Sequence, residues 1–426
     1  MVNWTNIRDI VAFWLLGLCN NYGYVIMLSA AEDILDKQQN NGNSNTTTDT
    51  DTCVPLLNTR HCQSISTGAV LLADNLPALV VQITFPFFMH RFPFGFRAFI
   101  VCVLQAASYF VVAFSSSIGM SLLGVCMASL GQGIGEITFL AMAAHYIPET
   151  IASWSSGTGG AGLIGSFSYA FINQAGLSPA NTLLVQLFIP VVFAAAYFFL
   201  LTVPPTVYSP TFHPNTWIIP KDYDKKIFEE AEERGDVMNT KKVPQRDLSA
   251  FERVKLIVPL LYLMVPLATV YMAEYMINQG LTELIIFNCS QGLSLPLKSQ
   301  YRWYQVLYQL GVFLSRSSVK FFEMPIWLIW CLPILQIVNM LFFFFEAVYW
   351  FVPTIIIIFV LIIFEGLLGG SAYVNTYNKI HKRVAPDVRE YSLSAASMGN
   401  SLGTNIAAFL SIPLYNWVCS MKAPIR

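Results

Sequence analysis

The chain has 426 residues, of which 55% are hydrophobic, 14% aromatic and only 12% charged, with a formal net charge of −1. A soluble domain carries about 25% charged residues, and a chain this close to neutral offers no basic surface for nucleic acid. With a mean hydropathy of +0.54, these values exclude an ordinary soluble globule and indicate an all-α, polytopic membrane protein whose main partner is the lipid bilayer.

A helix crosses ~30 Å of hydrocarbon in about 20 residues. Apolar blocks between polar breaks predict eleven spans, at 9–31, 66–89, 98–115, 119–146, 157–175, 182–203, 254–278, 303–322, 325–345, 350–376 and 393–418. The first could instead be a cleaved leader, because Ser29–Ala31 resembles a processing site. Against that, only Arg8 precedes it, and "NNYGY" (Asn20–Tyr24) interrupts the apolar run.

The segment after span one is rich in Asn, Thr and Asp and cannot pack a core. It carries the sequon Asn45-Thr46-Thr47 and two close cysteines, Cys53 and Cys62, which an oxidising compartment would allow to pair with each other. Asn288-Cys289-Ser290 is a second glycosylation sequon. The other six cysteines fall mostly in or beside spans and read as small apolar residues.

Span two holds Asp74, and span four holds Glu136 within "LGQGIGEITFL". In span five, "GTGGAG" (Gly157–Gly162) fits a dinucleotide fingerprint. No strand precedes it, and no acidic residue follows between Leu163 and Lys221 to hold a ribose. Small residues at helical spacing there suit close helix packing instead. No HExxH or Walker-type stretch occurs, and neither an enzyme nor a cofactor is expected.

A charged linker, 205–252, follows span six, with a surface helix expected at "KDYDKKIFEEAEER". It divides the chain into a six-span half, 1–204, and a five-span half, 253–426. Pro148, Ser156, Gly165 and Ala170-Phe171 recur at Pro386, Ser394, Gly403 and Ala408-Phe409 with one constant offset. Glu136 in span four matches Glu365 in span ten, each beside glycines. Two pseudo-repeated halves joined by a linker is the major-facilitator plan, here without the sixth helix of the second half.

With the N-terminus cytosolic, 18 of the 24 Lys and Arg lie on the cytosolic side and 6 on the other. This follows the positive-inside rule and places the linker in the cytosol and both sequons in the lumen.

A charge at the bilayer centre costs between ~3 and over 10 kcal/mol, so such residues face a cavity or a partner. Glu136, Glu274, Arg316, Glu365 and Asp74 are therefore the candidate substrate- or proton-binding residues. For each, the plain alternative is a structural role: a buried ion pair, a packed neutral acid, or for Arg316 snorkelling toward the interface. No metal-ligating cluster stands out.

"AEYMINQGL", "YRWYQVLYQLGVFLSRSS", "EGLLGGSAYVNT" and "LGQGIGEITFL" closely resemble segments of the battenin family, the ceroid-lipofuscinosis neuronal membrane proteins. The resemblance runs through spans one to eleven. It implies a late-endosomal or lysosomal membrane protein related in fold to major facilitator and nucleoside transporters. It also implies a role in clearing glycerophosphodiesters, in lysosomal pH or in basic amino-acid handling. The expected function is therefore export of a small polar phosphodiester, with protons as a possible second partner. The alternatives are a non-transporting scaffold or regulator of pH and trafficking, or a nucleoside or basic amino-acid transporter. Family members can end in a prenylated Cys-a-a-X box, whereas this sequence ends in "APIR". Neither "ERVKLI" (Glu252–Ile257) nor "YNKI" (Tyr377–Ile380) is more than a weak sorting signal.

Overall fold

The computed structural model describes residues 4–40, 53–60, 62, 67–204, 207–210, 216–220, 223, 248–320, 322–424 and 426. Asn45 and most of the 205–252 linker, including its expected surface helix, lie outside them. Among the described residues eleven long helical segments overlap the eleven predicted spans. They are α1 (Trp4–Asn40), α2 (Thr67–Thr84), α3 (Phe94–Ala113), α4 (Ile118–Ala143), α5 (Glu149–Gln174), α6 (Pro179–Leu200), α7 (Ala250–Met276), α8 (Leu297–Ser317), α9 (Ile326–Tyr349), α10 (Ile355–Arg383) and α11 (Arg389–Ser420).

Local sequence sets where these helices begin. The Ser117 and Ser178 side chains cap α4 and α6, with Pro179 in the first turn of α6, a position that needs no amide hydrogen. Ser249 and Glu252 form a reciprocal capping box on α7, satisfying two amides that the helix leaves unpaired. The last turn of α7 widens into a π-turn at Ile277–Leu281, a distortion often found at functional sites.

Helix packing repeats between the halves. α1 packs on α5 and α4, and α7 packs on α11 and α10. Likewise α2 and α3 pack on α4, as α8 and α9 pack on α10. Between the halves, α2 meets α11 and α5 meets α8, contacts that exchange under the same six-helix shift. Small residues make the closest crossings. Gly17 and Gly157 bring the backbones of α1 and α5 together, and Gly311 and Gly366 do so for α8 and α10. The repeat-related Gly165 and Gly403 lie against α1 and α7 respectively. The glycines of "GTGGAG" thus pack helices, and α1 belongs to the bundle.

Seven of these segments are long and apolar enough to cross a membrane by length and composition, and α2 contains a shorter apolar stretch. α5, α8 and α11 do not qualify. Together with α2, they are the helices through which the halves meet, so their small and polar residues face protein rather than lipid. α9 shows the opposite pattern: Ile334, Val338, Leu341 and Phe345 form an exposed stripe at helical spacing. In a bilayer that stripe faces lipid.

The cysteine pairing differs from expectation. Cys53 and Cys62 do not bond to each other. Cys53 is joined to Cys289 and Cys62 to Cys419, so two cysteines read as small apolar residues are structural partners. The loop between them is held by the second half. Leu57 and Arg426 exchange backbone hydrogen bonds of 2.7 and 2.9 Å, Cys289 N donates to Val54 O at 3.0 Å, and the Arg60 guanidinium donates to the carbonyls of Ala347 and Val348, each at 2.7 Å. A nearby partner in sequence lost to distant ones because the chain's return at 289 and 419 brings those cysteines to the same end of the bundle.

Candidate functional site

Where the halves meet, Arg316 is buried near the C-terminal end of α8. α8 reads as poorly apolar because one face is polar, yet Tyr304, Tyr308, Val312, Ser315 and Arg316 recur every three or four residues on a buried stripe. Arg316 donates from Nη1 to Thr158 Oγ1 on α5 at 2.6 Å and from Nη2 to Tyr271 OH on α7 at 2.8 Å. Its guanidinium carbon sits 4.2 Å from the centre of the Tyr373 ring on α10. Gly159 permits this approach, since a Cβ there would press on Phe313 and the Arg316 side chain. The cation is thus held by both halves through hydrogen bonds and an aromatic face.

Glu136 is bonded to the hydroxyl of the same Tyr373. It accepts hydrogen bonds from Gln132 Nε2 at 2.7 Å, Tyr373 OH at 3.0 Å and Asn400 Nδ2 at 3.5 Å. Tyr373 and Asn400 come from the second half and Gln132 from the turn before Glu136. Trp154 Nε1 in turn donates to Tyr373 OH at 3.4 Å. Gly135, which the sequence places beside Glu136, makes room for the Asn20 side chain of α1. Arg316 interacts electrostatically with both Glu136 and Glu274.

Glu274 and Glu365 form a separate buried group within the second half. Tyr308 OH donates to Glu274 Oε1, and Asn278 Nδ2 donates to Glu365 Oε1 at 2.9 Å. The two carboxylates interact electrostatically. Glu136 and Glu365, matched in the repeat, are therefore held by different partners: Glu136 by the opposite half, Glu365 by its own.

The chain matches the CLN3 protein family profile over residues 11–421. It is 42% identical to battenin from Canis lupus familiaris over 422 residues, covering 97% of this chain and 92% of the relative. Protein btn-1 from Neurospora crassa is 35% identical over 441 residues, covering 97% and 88% respectively. This protein belongs to the CLN3 (battenin) family. Its fold is similar to that of the human organic anion transporter TETRAN, with a TM-score of 0.57, 12% identity, and coverage of 98% of this chain and 96% of that one. It is also similar to a bacterial homologue of the human lysosomal transporter Spinster in an inward-facing, unoccupied conformation. That match has a TM-score of 0.51, 14% identity, and coverage of 96% and 82%. The chain is a multi-pass membrane protein with the fold of major facilitator transporters.

The remaining candidates of this CLN3-family chain lie elsewhere. Asp74 is fully buried in α2, and neither carboxylate oxygen has a hydrogen-bond partner. Its electrostatic neighbours are Tyr24 and Cys126, so it stands apart from the Arg316 group. Asn288 is buried in a turn, where its Oδ1 accepts from Ser290 Oγ and Gln291 N, each at 2.9 Å. A glycan there would require that turn to be displaced.

Charge alone found the ionisable residues and missed their partners. Thr158, Tyr271, Tyr308, Tyr373, Asn278 and Asn400 carry no charge, and interfacial tyrosine belts are common enough to hide a functional one. Helical spacing was the available signal: Tyr271 and Asn278 lie one turn on either side of Glu274, and Tyr373 lies eight residues after Glu365.

Proposed function

We propose that this protein is a lysosomal transporter that exports small polar phosphodiesters, such as glycerophosphodiesters, from lumen to cytosol by alternating access of its two helical halves. Arg316 carries the reading. It is a buried cation between the halves, with a planar fork of donors that matches a phosphate geometrically. Its present partners, the Thr158 and Tyr271 hydroxyls, are neutral, so an anionic oxygen is a stronger acceptor for the same donors. Glu136, bonded to the Tyr373 hydroxyl, can accept from the hydroxyls of a glycerol moiety or attract a cationic head group. The names of the two structural neighbours, an organic anion transporter and a homologue of a lysosomal transporter, agree with that chemistry.

The two disulfides join the segment after α1, the α7–α8 segment and the end of α11. An oxidising lumen at that end of the bundle supports a cytosolic linker and a cytosolic N-terminus. The test is uptake of labelled glycerophosphodiesters by the full chain reconstituted in liposomes. Saturable uptake that is lost in Arg316→Met supports the reading. If no phosphodiester, nucleoside or basic amino acid is taken up, transport is refuted in favour of a membrane scaffold or regulator.

A further inference from the structure

Glu274 and Asn278 lie one helical turn apart on α7, and Glu365 and Gly369 lie one turn apart on α10. The two pairs face each other. Asn278 bonds to Glu365, while the Glu274 carboxylate occupies the space that a side chain on residue 369 would fill. Residues one turn apart are separated by about 5–6 Å, so this arrangement sets two carboxylates close together in the core of the bundle.

Three acceptors in this buried group have no donor: Glu274 Oε2, Glu365 Oε2 and Asn278 Oδ1. Two carboxylates removed from water and placed side by side cannot both remain ionised. A proton on either one removes a charge and creates an O–H donor among the orphaned acceptors. Among the described residues, no second cation is in electrostatic contact with either carboxylate. The ionisable groups in electrostatic contact with Glu274 are Tyr271 and Tyr275 of α7, Tyr308 and Arg316 of α8, and Glu365 of α10. Arg316 is shared with Glu136, whose three donors suit a carboxylate.

We infer that Glu274 and Glu365 together hold one exchangeable proton, which is carried across the membrane with the anionic substrate bound at Arg316. This rests on the transport reading above. An anion arriving at Arg316 withdraws that residue's charge from Glu274, and a proton gained by the pair restores the balance. One proton and one phosphodiester anion then cross together with no net charge moved, from an acidic lumen toward the cytosol. The π-turn that carries Asn278 places the site where the helix is already distorted, so release of the proton can accompany a change in α7.

The test uses the full chain in liposomes that enclose a pH-sensitive dye, with radiolabelled glycerophosphoinositol, a singly charged anion, as the probe. A gradient of one pH unit, acid on the probe side, drives accumulation of up to about tenfold, and adding the probe acidifies the interior. Glu365→Gln equilibrates the probe without accumulating it and without acidification, and Glu274→Gln behaves in the same way. Accumulation that persists in both variants, or that follows a sodium gradient in place of the proton gradient, overturns the inference. Infrared spectroscopy of the detergent-solubilised protein gives a readout that does not require transport. A carboxylic-acid C=O band that changes with pH and is diminished in both variants supports the shared proton. A band that neither variant alters refutes it, whatever the uptake. If that band behaves as expected and no probe is transported, the failure lies with the transport reading and takes the coupling to substrate with it.

Discussion

Replacing Arg316 separates a substrate anchor from a purely structural cation. Arg316→Lys keeps the charge but loses the fork, because a single ammonium cannot reproduce two planar, parallel hydrogen bonds. A hydrogen bond to a charged group contributes about 1.5–3 kcal/mol. Losing one such bond to the substrate phosphate should therefore raise KM roughly 10- to 100-fold, at about 1.4 kcal/mol per factor of ten. Arg316→Met has a different consequence. It leaves Glu136 and Glu274 without their shared cation, and stranding a buried charge costs about 3–5 kcal/mol. Thermal unfolding in detergent should therefore show a marked fall in Tm for Arg316→Met and a small one for Arg316→Lys. Concentration-dependent uptake in liposomes gives the KM of the lysine variant. An unchanged KM in Arg316→Lys, measured at normal protein density, would refute the anchor and leave Arg316 as an element of packing.

Other perturbations test other parts of the molecule. Glu136→Gln keeps size and removes the charge facing Arg316, so the protein should fold normally while uptake falls or its pH dependence changes. Normal, pH-dependent uptake would reduce Glu136 to packing. Non-reduced peptide mapping should recover Cys53 with Cys289 and Cys62 with Cys419, and loss of either bond should destabilise by about 2–5 kcal/mol. A Cys53–Cys62 peptide would overturn the pairing. Enzymatic deglycosylation should shift the wild-type band, with the shift lost in Asn45→Gln and retained in Asn288→Gln, whose target is buried. Glu323 lies between α8 and α9, where hydrogen bonds of 2.6 Å from Lys379 and from Lys382 hold its carboxyl below the usual carboxylate range. A depressed folded value stabilises above the ordinary carboxylate pKa and ceases to do so as pH falls through the depressed value. The partly exposed site limits the effect to about 1 kcal/mol or less. Glu323→Gln should therefore lower Tm slightly near neutrality and have no effect in strong acid.

The fold was legible because a bilayer imposes length and composition on the helices that face lipid. The eleven apolar blocks became eleven helical segments, and the offset between Gly165 and Gly403 marked two helices that pack in repeat-related ways. What resisted reading was whatever depends on how distant segments meet. Cys53 and Cys62 are nine residues apart in sequence, and nothing local shows that 289 and 419 return to the same place. The true ends of α5 and α10 lie beyond the apolar blocks because buried polar residues such as Thr150, Ser153 and Asn378 continue those helices against protein.

The site was half legible for a related reason. A carboxylate in an apolar run is conspicuous, so Glu136, Glu274 and Glu365 could be found one at a time. Their grouping could not, because the repeat equates Glu136 with Glu365 whereas packing assigns them different neighbours. Glu136 faces the opposite half through Tyr373 and Asn400, while Glu365 faces Asn278 and Glu274 within its own half. Equal depth in repeat-related helices therefore does not mean equal function. The asymmetry rests on Arg316, because the matching helix of the first half, α2, carries the carboxylate Asp74 as its buried charge and no buried cation. A single cation shared by Glu136 and Glu274, with Glu365 beside Glu274, leaves an excess of negative charge if all three acids ionise, and in the core of a bundle that excess must be met by protons or by redistribution when an anion binds. In the proposed mechanism, substrate recognition at Arg316 and proton occupancy at Glu274 and Glu365 are thus linked by charge balance through the Arg316–Glu274 interaction.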